Sequence, residues 1–156
     1  MTAVELVEIT DANRDEVLAL RVAPEQQQFV GTVAGALRDA ADYRDANPWY
    51  RAIYADGRPV GLIMISWDVP PRPPDIIGPW YLWKLIIDQA QQYRGHGAAA
   101  VRQVAEIVRA AGAPELLTSY VVAPGGPAGF YAKLGFTPTG DVDRNGEVIV
   151  RLDLTV

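Results

Sequence analysis

The fold of this chain is decided by "LIIDQAQQYRGHGAAAVRQVAEIVRAAG", Leu85–Gly112. An apolar run stops at Ile87, Gly95 and Gly97 bracket His96, and an amphipathic stretch begins. From Ala98 to Ala111 the spacing of Val101, Val104, Ala105 and Val108 predicts a helix with one apolar face, ended by Gly112 with Pro114 beyond. The preceding "WYLWKLII" reads as a buried central strand. A strand, a glycine loop and a helix start, in that order, suit an anion. The first N–H groups of a helix have no intrahelical partner and carry the positive end of the helix dipole. Glycines at 95 and 97 let an anion approach the backbone, and Arg94 adds a fixed charge. A tight turn that needs glycine only for its dihedral angles accounts for the same residues.

Three anions compete for the loop. A nucleoside triphosphate would need Lys and Ser/Thr after the second glycine, where Ala98 and Ala99 stand. A dinucleotide fingerprint fits as Gly95-x-Gly97-x-x-Ala100, but the next strand, "ELLTSYVV", ends without the acid that would hold the ribose, and too few βα units follow. The third reading is a cradle for the pyrophosphate of coenzyme A.

Composition removes other classes. The 156 residues fit one domain, residues 1–156, and nearly half are hydrophobic, as in an ordinary globular protein. With no cysteine there is no disulfide, thiolate metal site or cysteine acyl-enzyme, and a single histidine excludes a multi-histidine metal centre. No metal is expected. The net charge of −5 argues against duplex nucleic acid as a partner. It reads most simply as solubility, and secondarily as a preference for cationic substrates. No apolar run reaches membrane-spanning length, and "MTAVELVEITDANRDEV" carries acids where a signal peptide carries bases, so no membrane association and a cytoplasmic location are expected.

Along the chain, Val4 to Ile9 reads as a strand, and Asp11 or Asn13 caps a helix to about Leu20. A second helix is predicted from Pro24 or Glu25 to about Tyr43, using Phe29, Val30, Val33 and Leu37, with Gly31 and Gly35 pointing to a break. "WYRAIYADGRPVGLIMISWD" is a hairpin turning at Asp56-Gly57, followed by a stiff proline-rich loop, "VPPRPPDIIGP". After "ELLTSYVV" come a short helix in "PAGFYAKLG" and a closing pair of strands. The expected fold class is α/β, with a mixed, largely antiparallel sheet flanked by helices.

"IIDQAQQYRGHGAAAV" resembles the acetyl-CoA signature of the GNAT (general N-acetyltransferase) superfamily, Q/R-x-x-G-x-G/A, read as Gln92-x-x-Gly95-x-Gly97. A shifted reading, Arg94-x-x-Gly97-x-Ala99, fits the same pattern; the first leaves Ile87 five residues before the motif, as family members usually have. Downstream, Phe130-Tyr131-Ala132-Lys133-Leu134-Gly135-Phe136 is similar to the family's second hallmark, F-Y-x-K-x-G-F. The likeness covers essentially the whole chain. It departs from the family at Tyr93, where many members carry glycine, at His96, often Lys or Arg, and in "PGGPAG", which lacks a frequent asparagine.

The resemblance implies the GNAT fold with splayed central strands, and acetyl-CoA as cosubstrate. Leu85, Ile86 and Ile87 would pair their main chain with the pantetheine arm, as in edge augmentation. Gln92, Tyr93, Arg94, Gly95, His96, Gly97 and Ala98 would form the pyrophosphate cradle, with Tyr131 and Lys133 also contacting the cofactor. Tyr131 would protonate or hydrogen-bond the leaving thiolate; as a bare residue it reads equally as a packed helix tyrosine. For the base that deprotonates the acceptor, Asp88 and Glu25 are the first candidates; each is also an ordinary solvated acid, and a water chain could do the same work. Trp67, Trp80, Tyr81 and Trp83 read as core by default, but strand alternation puts Tyr81 and Trp83 on one face, where they could wall an acceptor pocket. The expected function is acetyl transfer from acetyl-CoA to a small-molecule primary amine by direct attack. Within the superfamily "WYLWKLIID" and "PTGD" look most like bacterial diamine and polyamine acetyltransferases; a homodimer is one candidate assembly, and the sequence does not fix the oligomeric state. The rival functions are a catalytically silent acyl-CoA-binding module and a dinucleotide-binding oxidoreductase.

Overall fold

In the computed structural model, residues 3–26 and 31–155 are described. Strand β1 (Glu5–Val7) and helix α1 (Arg14–Leu18) lead through a 3-10 turn (Pro24–Gln26) to α2 (Val33–Asp42). Then come β2 (Pro48–Ala55), β3 (Arg58–Ser66), β4 (Tyr81–Ile87), α3 (His96–Ala110), β5 (Glu115–Tyr120), α4 (Ala128–Lys133), β6 (Thr137–Val142) and β7 (Val148–Asp153). The described strands form one sheet in the order β1-β2-β3-β4-β5-β7-β6, antiparallel throughout except for β4 against β5. This is the expected α/β arrangement with a mostly antiparallel sheet.

Apolar side chains cover both faces. Along β3 the unbroken run Leu62-Ile63-Met64-Ile65 is fully buried because alternate residues enter different cores. Ile63 and Ile65 join Leu82, Val101, Val104, Val108 and Tyr131 beneath α3 and α4. Leu62 and Met64 join Ile86, Val17, Leu20, Val33, Ala36, Leu37 and Ala40 beneath α1 and α2. Three tryptophans, Trp49, Trp67 and Trp80, pack in sequence in the first core, with centroids 5.8 and 4.9 Å apart. Trp83 packs against the second core.

Several boundaries differ from the sequence reading. The first strand is shorter, and α1 ends at Leu18. The long second helix is divided: a 3-10 turn ends at Gln26, Gly31 takes φ +71°, and Thr32 caps α2 by accepting from the N–H of Gly35 at 3.0 Å. The part of that prediction using Phe29 and Val30 lies outside the described residues. Helix α3 begins at His96, before the expected Ala98, because Gly95 at φ +84° serves as its N-cap. Strand β5 stops at Tyr120, leaving Val121 and Val122 exposed. The predicted hairpin turn is present, with Asp56 and Gly57 both at positive φ. Among the described residues no helix is long and apolar enough to cross a membrane.

β3 and β4 pack closely at Gly61, where an added Cβ would collide with the carbonyl oxygen of Ile86 and lie 2.9 Å from Cδ1 of Ile87. Gly61→Ala must push the two strands apart. We expect it to lose about 1–3 kcal/mol in urea unfolding, and a variant as stable as the parent would show that the strands are not packed this closely.

Candidate active site

The site begins where β4 leaves β5. Their parallel pairing runs through Tyr81↔Leu117 and Leu82↔Thr118. There Thr118 Oγ1 donates to the Leu82 carbonyl at 2.9 Å. Immediately beyond, the β3–β4 register shifts: Ile65 faces Leu82 but Met64 faces Lys84, so Trp83 is a bulge residue. A bulge bends its strand and increases the local twist, and here it turns β4 away from β5.

The register then fixes which main-chain groups face the gap. Asp88 N–H donates to the Val60 carbonyl at 2.8 Å. By antiparallel alternation Ile86 and Lys84 also direct their peptide groups to Leu62 and Met64, leaving those of Leu85 and Ile87 turned toward the gap. The three consecutive residues expected to present their backbone cannot all do so, because successive peptides point to opposite sides. The Ile87 carbonyl accepts from Gln92 Nε2 at 3.0 Å, and the same nitrogen donates to Gln26 Oε1 at 2.6 Å. The Gln92 side chain thus staples the loop to the strand end.

Asp88 is also committed to local structure. Its Oδ1 accepts from Arg21 N–H at 2.8 Å, and its Oδ2 caps the 3-10 turn Gln89–Gln91 through Ala90 N–H. Tyr93 takes φ +65° with a 96% exposed side chain, so it bulges into solvent and not into the loop. A left-handed conformation costs a non-glycine residue roughly 1–2 kcal/mol, which is why glycine suits this position. Gly95 offers no side-chain cap, so the first N–H groups of α3 are left for another acceptor. A Cβ on Gly97 would touch Phe130 at 3.5 Å and Ile87 at 3.6 Å, and any longer side chain would fill the groove between β4 and α4. Ala98 follows in the same helical turn, half-buried.

His96 is buried, and its Nδ1 has no hydrogen-bond partner. With Arg94, Arg58 and Asp56 it lines a cavity of about 580 Å³ beside the β2–β3 turn.

Tyr131 lies across the gap on α4, a helix closed by Gly135 at φ +101° and by Phe136 N–H donating back to the Tyr131 carbonyl at 3.1 Å. Its ring stacks on Tyr120 at 5.8 Å and meets Phe130 and Phe136 edge-on. Burial pushes its pKa up to about 12, against a smaller opposing effect from Thr118. The phenol is fully protonated at neutral pH. Lys133, on the last turn of α4, is exposed.

Tyr131, Thr118, Leu85 and Trp83 share a cavity of about 930 Å³ closed on one side by the proline-rich loop. Its described charged residues are Asp39, Asp45, Asp75, Asp143 and Glu147 against Arg72, Lys84 and Arg144. Each cation is paired: Lys84–Asp39 at 3.1 Å, Arg72–Asp45 at 2.6 Å and Arg144–Asp75 at 2.6 Å. Asp143 and Glu147 are the surplus. Tyr81 and Ser119 share a 2.6 Å hydrogen bond in the same wall, and burial pushes the Tyr81 phenol up to about 12. Glu25 is exposed in its 3-10 turn and, like Asp88, is not among the described residues lining this cavity. In the sequence Glu147 is an unremarkable acid after a turn, "DRNGEV"; only the pairing of β5 with β7 brings it beside Ser119.

Comparison with known proteins agrees with this geometry. Residues 26–136 match the family model described as "Acetyltransferase (GNAT) family". Comparison with curated proteins gives no significant match. Among solved structures, the GNAT domain of S. lividans PAT is similar with a TM-score of 0.71 at 15% identity, over 96% of this chain and 89% of that one. An aminoglycoside 6'-N-acetyltransferase complexed with coenzyme A gives 0.69 at 13% identity, over 99% and 98%. The PaiA N-acetyltransferase of Thermoplasma acidophilum, also in complex with coenzyme A, gives 0.63 at 14%, over 97% and 99%. At such identities the structures speak for the fold, while the family match spans most of the chain. The chain belongs to the acetyltransferase (GNAT) family and is an acetyl-CoA-dependent N-acetyltransferase.

Proposed function

We propose that acetyl-CoA lies in the gap between β4 and β5 and that a primary amine from the 930 Å³ cavity attacks its thioester directly. The observation that carries this reading is the turning of the Leu85 N–H and carbonyl, and of the Ile87 N–H, away from β3 into a gap that Leu85 and Tyr131 both line. An extended amide-bearing chain laid there gains strand-like hydrogen bonds. The start of α3, with Gly95 as a cap that offers no side chain, suits the pyrophosphate. No cysteine is available for an acyl-enzyme.

In this reading Tyr131 serves the leaving group. A phenol pushed up to about 12 by burial holds its proton more tightly than a thiol of ordinary pKa, about 8.5. Tyr131 therefore acts chiefly as a hydrogen-bond donor to sulfur as charge builds on it, with the proton following only as it is replaced. Tyr131→Phe should bind CoA with little change, measured by the rise in Tm, while kcat falls about 10²-fold. An unchanged kcat would remove Tyr131 from the chemistry.

The acceptor we propose is a diamine or polyamine. The supporting observation is the cavity's surplus of two carboxylates, Asp143 and Glu147, after its cations are paired, together with the face of Trp83. Attraction of a second ammonium is worth on the order of 1 kcal/mol where solvated and several where enclosed. 1,4-Diaminobutane should therefore exceed 1-aminopentane by about tenfold or more in kcat/KM. Equal values would remove the diamine reading and leave acetyl transfer in place.

A further inference from the structure

Glu147 is held in place by its own turn. Its N–H donates to Asp143 Oδ1 at 2.9 Å, and its carbonyl accepts from Asp143 N–H at 2.9 Å. Its carboxylate faces the Ser119 hydroxyl at 3.5 Å, which is itself 2.6 Å from the Tyr81 hydroxyl. An ionised carboxylate only accepts, so the direction of the chain is set: Tyr81 donates to Ser119, and Ser119 donates to Glu147. Glu147 lines the cavity that Tyr131 also lines.

The other described carboxylates of the cavity are engaged. Asp39, Asp45 and Asp75 hold Lys84, Arg72 and Arg144. Asp143 Oδ1 accepts from the N–H groups of Asn145 and Glu147. Glu147 makes no ion pair among the described residues, and its single side-chain hydrogen bond is long.

We propose that Glu147, oriented by Ser119 and Tyr81, is the group that takes a proton from the acceptor ammonium before the amine attacks. The proposal rests on the acetyltransferase reading above. An alkylamine near pKa 10 is free base at pH 7 to only about one part in a thousand to ten thousand, so a positioned acceptor matters. The first ammonium proton passes to the Glu147 carboxylate and from there to solvent through the open side of the cavity. The nitrogen lone pair then forms the C–N bond as the carbonyl π pair moves to oxygen. Collapse of that oxyanion breaks the C–S bond, whose electrons leave with sulfur. The second nitrogen proton balances the one that sulfur acquires, giving amide and thiol.

The groups facing Glu147 suit the role. Burial and the neighbouring Asp143 raise its pKa above the ordinary carboxyl value, while Ser119 and Lys84 oppose them less strongly. The base is competent above that raised pKa, and activity is lost as pH falls through it.

The test is the pH profile of kcat/KM with 1,4-diaminobutane and with 1-aminopentane, for wild type, Glu147→Gln and Glu147→Asp. We expect Glu147→Gln to lose about 10²-fold at pH 7, to have its acid limb moved from the carboxyl up to the amine's own pKa, and to approach wild type as pH nears that value. Glu147→Asp should keep an acid limb at a lower rate. CoA should raise the Tm of all three proteins alike. A Glu147→Gln profile parallel to wild type at every pH, or an unchanged rate, would overturn the proposal while acetyl transfer stands. Should Glu147→Gln fail to fold, a Glu147→Asp profile lacking the acid limb overturns it instead. Failure of wild type to acetylate either amine, with CoA binding intact, would overturn the acceptor reading itself.

Discussion

The site depends on an interrupted strand pairing. A parallel pair normally continues until one strand ends, because each further residue satisfies two peptide groups. Here β4 and β5 part after Leu82 and Thr118, although both strands run on. The Thr118 hydroxyl bonds the Leu82 carbonyl at the vertex, and the Trp83 bulge turns β4 aside. The N–H and carbonyl of Leu85 and the N–H of Ile87 are thereby left facing a gap, a configuration that costs free energy unless water or a ligand supplies partners. The fold tolerates it because the other edge of β4 stays paired with β3 on both sides of the Trp83 bulge, pressed close at Gly61.

The rest of the molecule fixes the walls of that gap. Alternating burial along β3 locks the sheet between two cores, so the splay cannot close by sliding one strand. Helix α3 follows β4 and α4 follows β5, so separating the strands separates their helices as well. Gly97 and Phe130 meet across the resulting groove. In the proposed function, cofactor chemistry falls to the edge of β4 and the start of α3, and leaving-group chemistry to Tyr131. Acceptor chemistry there falls to the cavity between β5, the β6–β7 turn and the proline-rich loop. That loop is tied at both flanks by exposed ion pairs, Arg72–Asp45 and Arg144–Asp75, whose energetic worth is small and whose effect is positional.

What was legible in the sequence was local. The Asp56-Gly57 turn, the apolar face of α3 and the break near Gly31 each follow from a few neighbouring residues, and each appears in the structure. The family pattern added the splay, which no periodicity reveals. Site residues depending on distant pairing were not legible. Gln92 reads as part of an anion loop, yet its amide is spent on Ile87 and Gln26. Asp88 sits at the expected strand end, but its oxygens cap Arg21 and Ala90. Glu147 gave no signal because its neighbours Ser119 and Tyr81 are remote in sequence and meet it only once β5, β7 and β4 are assembled.

The most direct test of this account is amide hydrogen exchange along β4 with and without coenzyme A. The Lys84 and Ile86 amides, already paired with β3, should be protected in both states. The Leu85 and Ile87 amides should exchange quickly in the free protein and become protected when coenzyme A is added. Equal protection of all four amides in the free protein, or no change at Leu85 and Ile87 on binding, would contradict the claim that the splayed edge of β4 is the cofactor's docking strand.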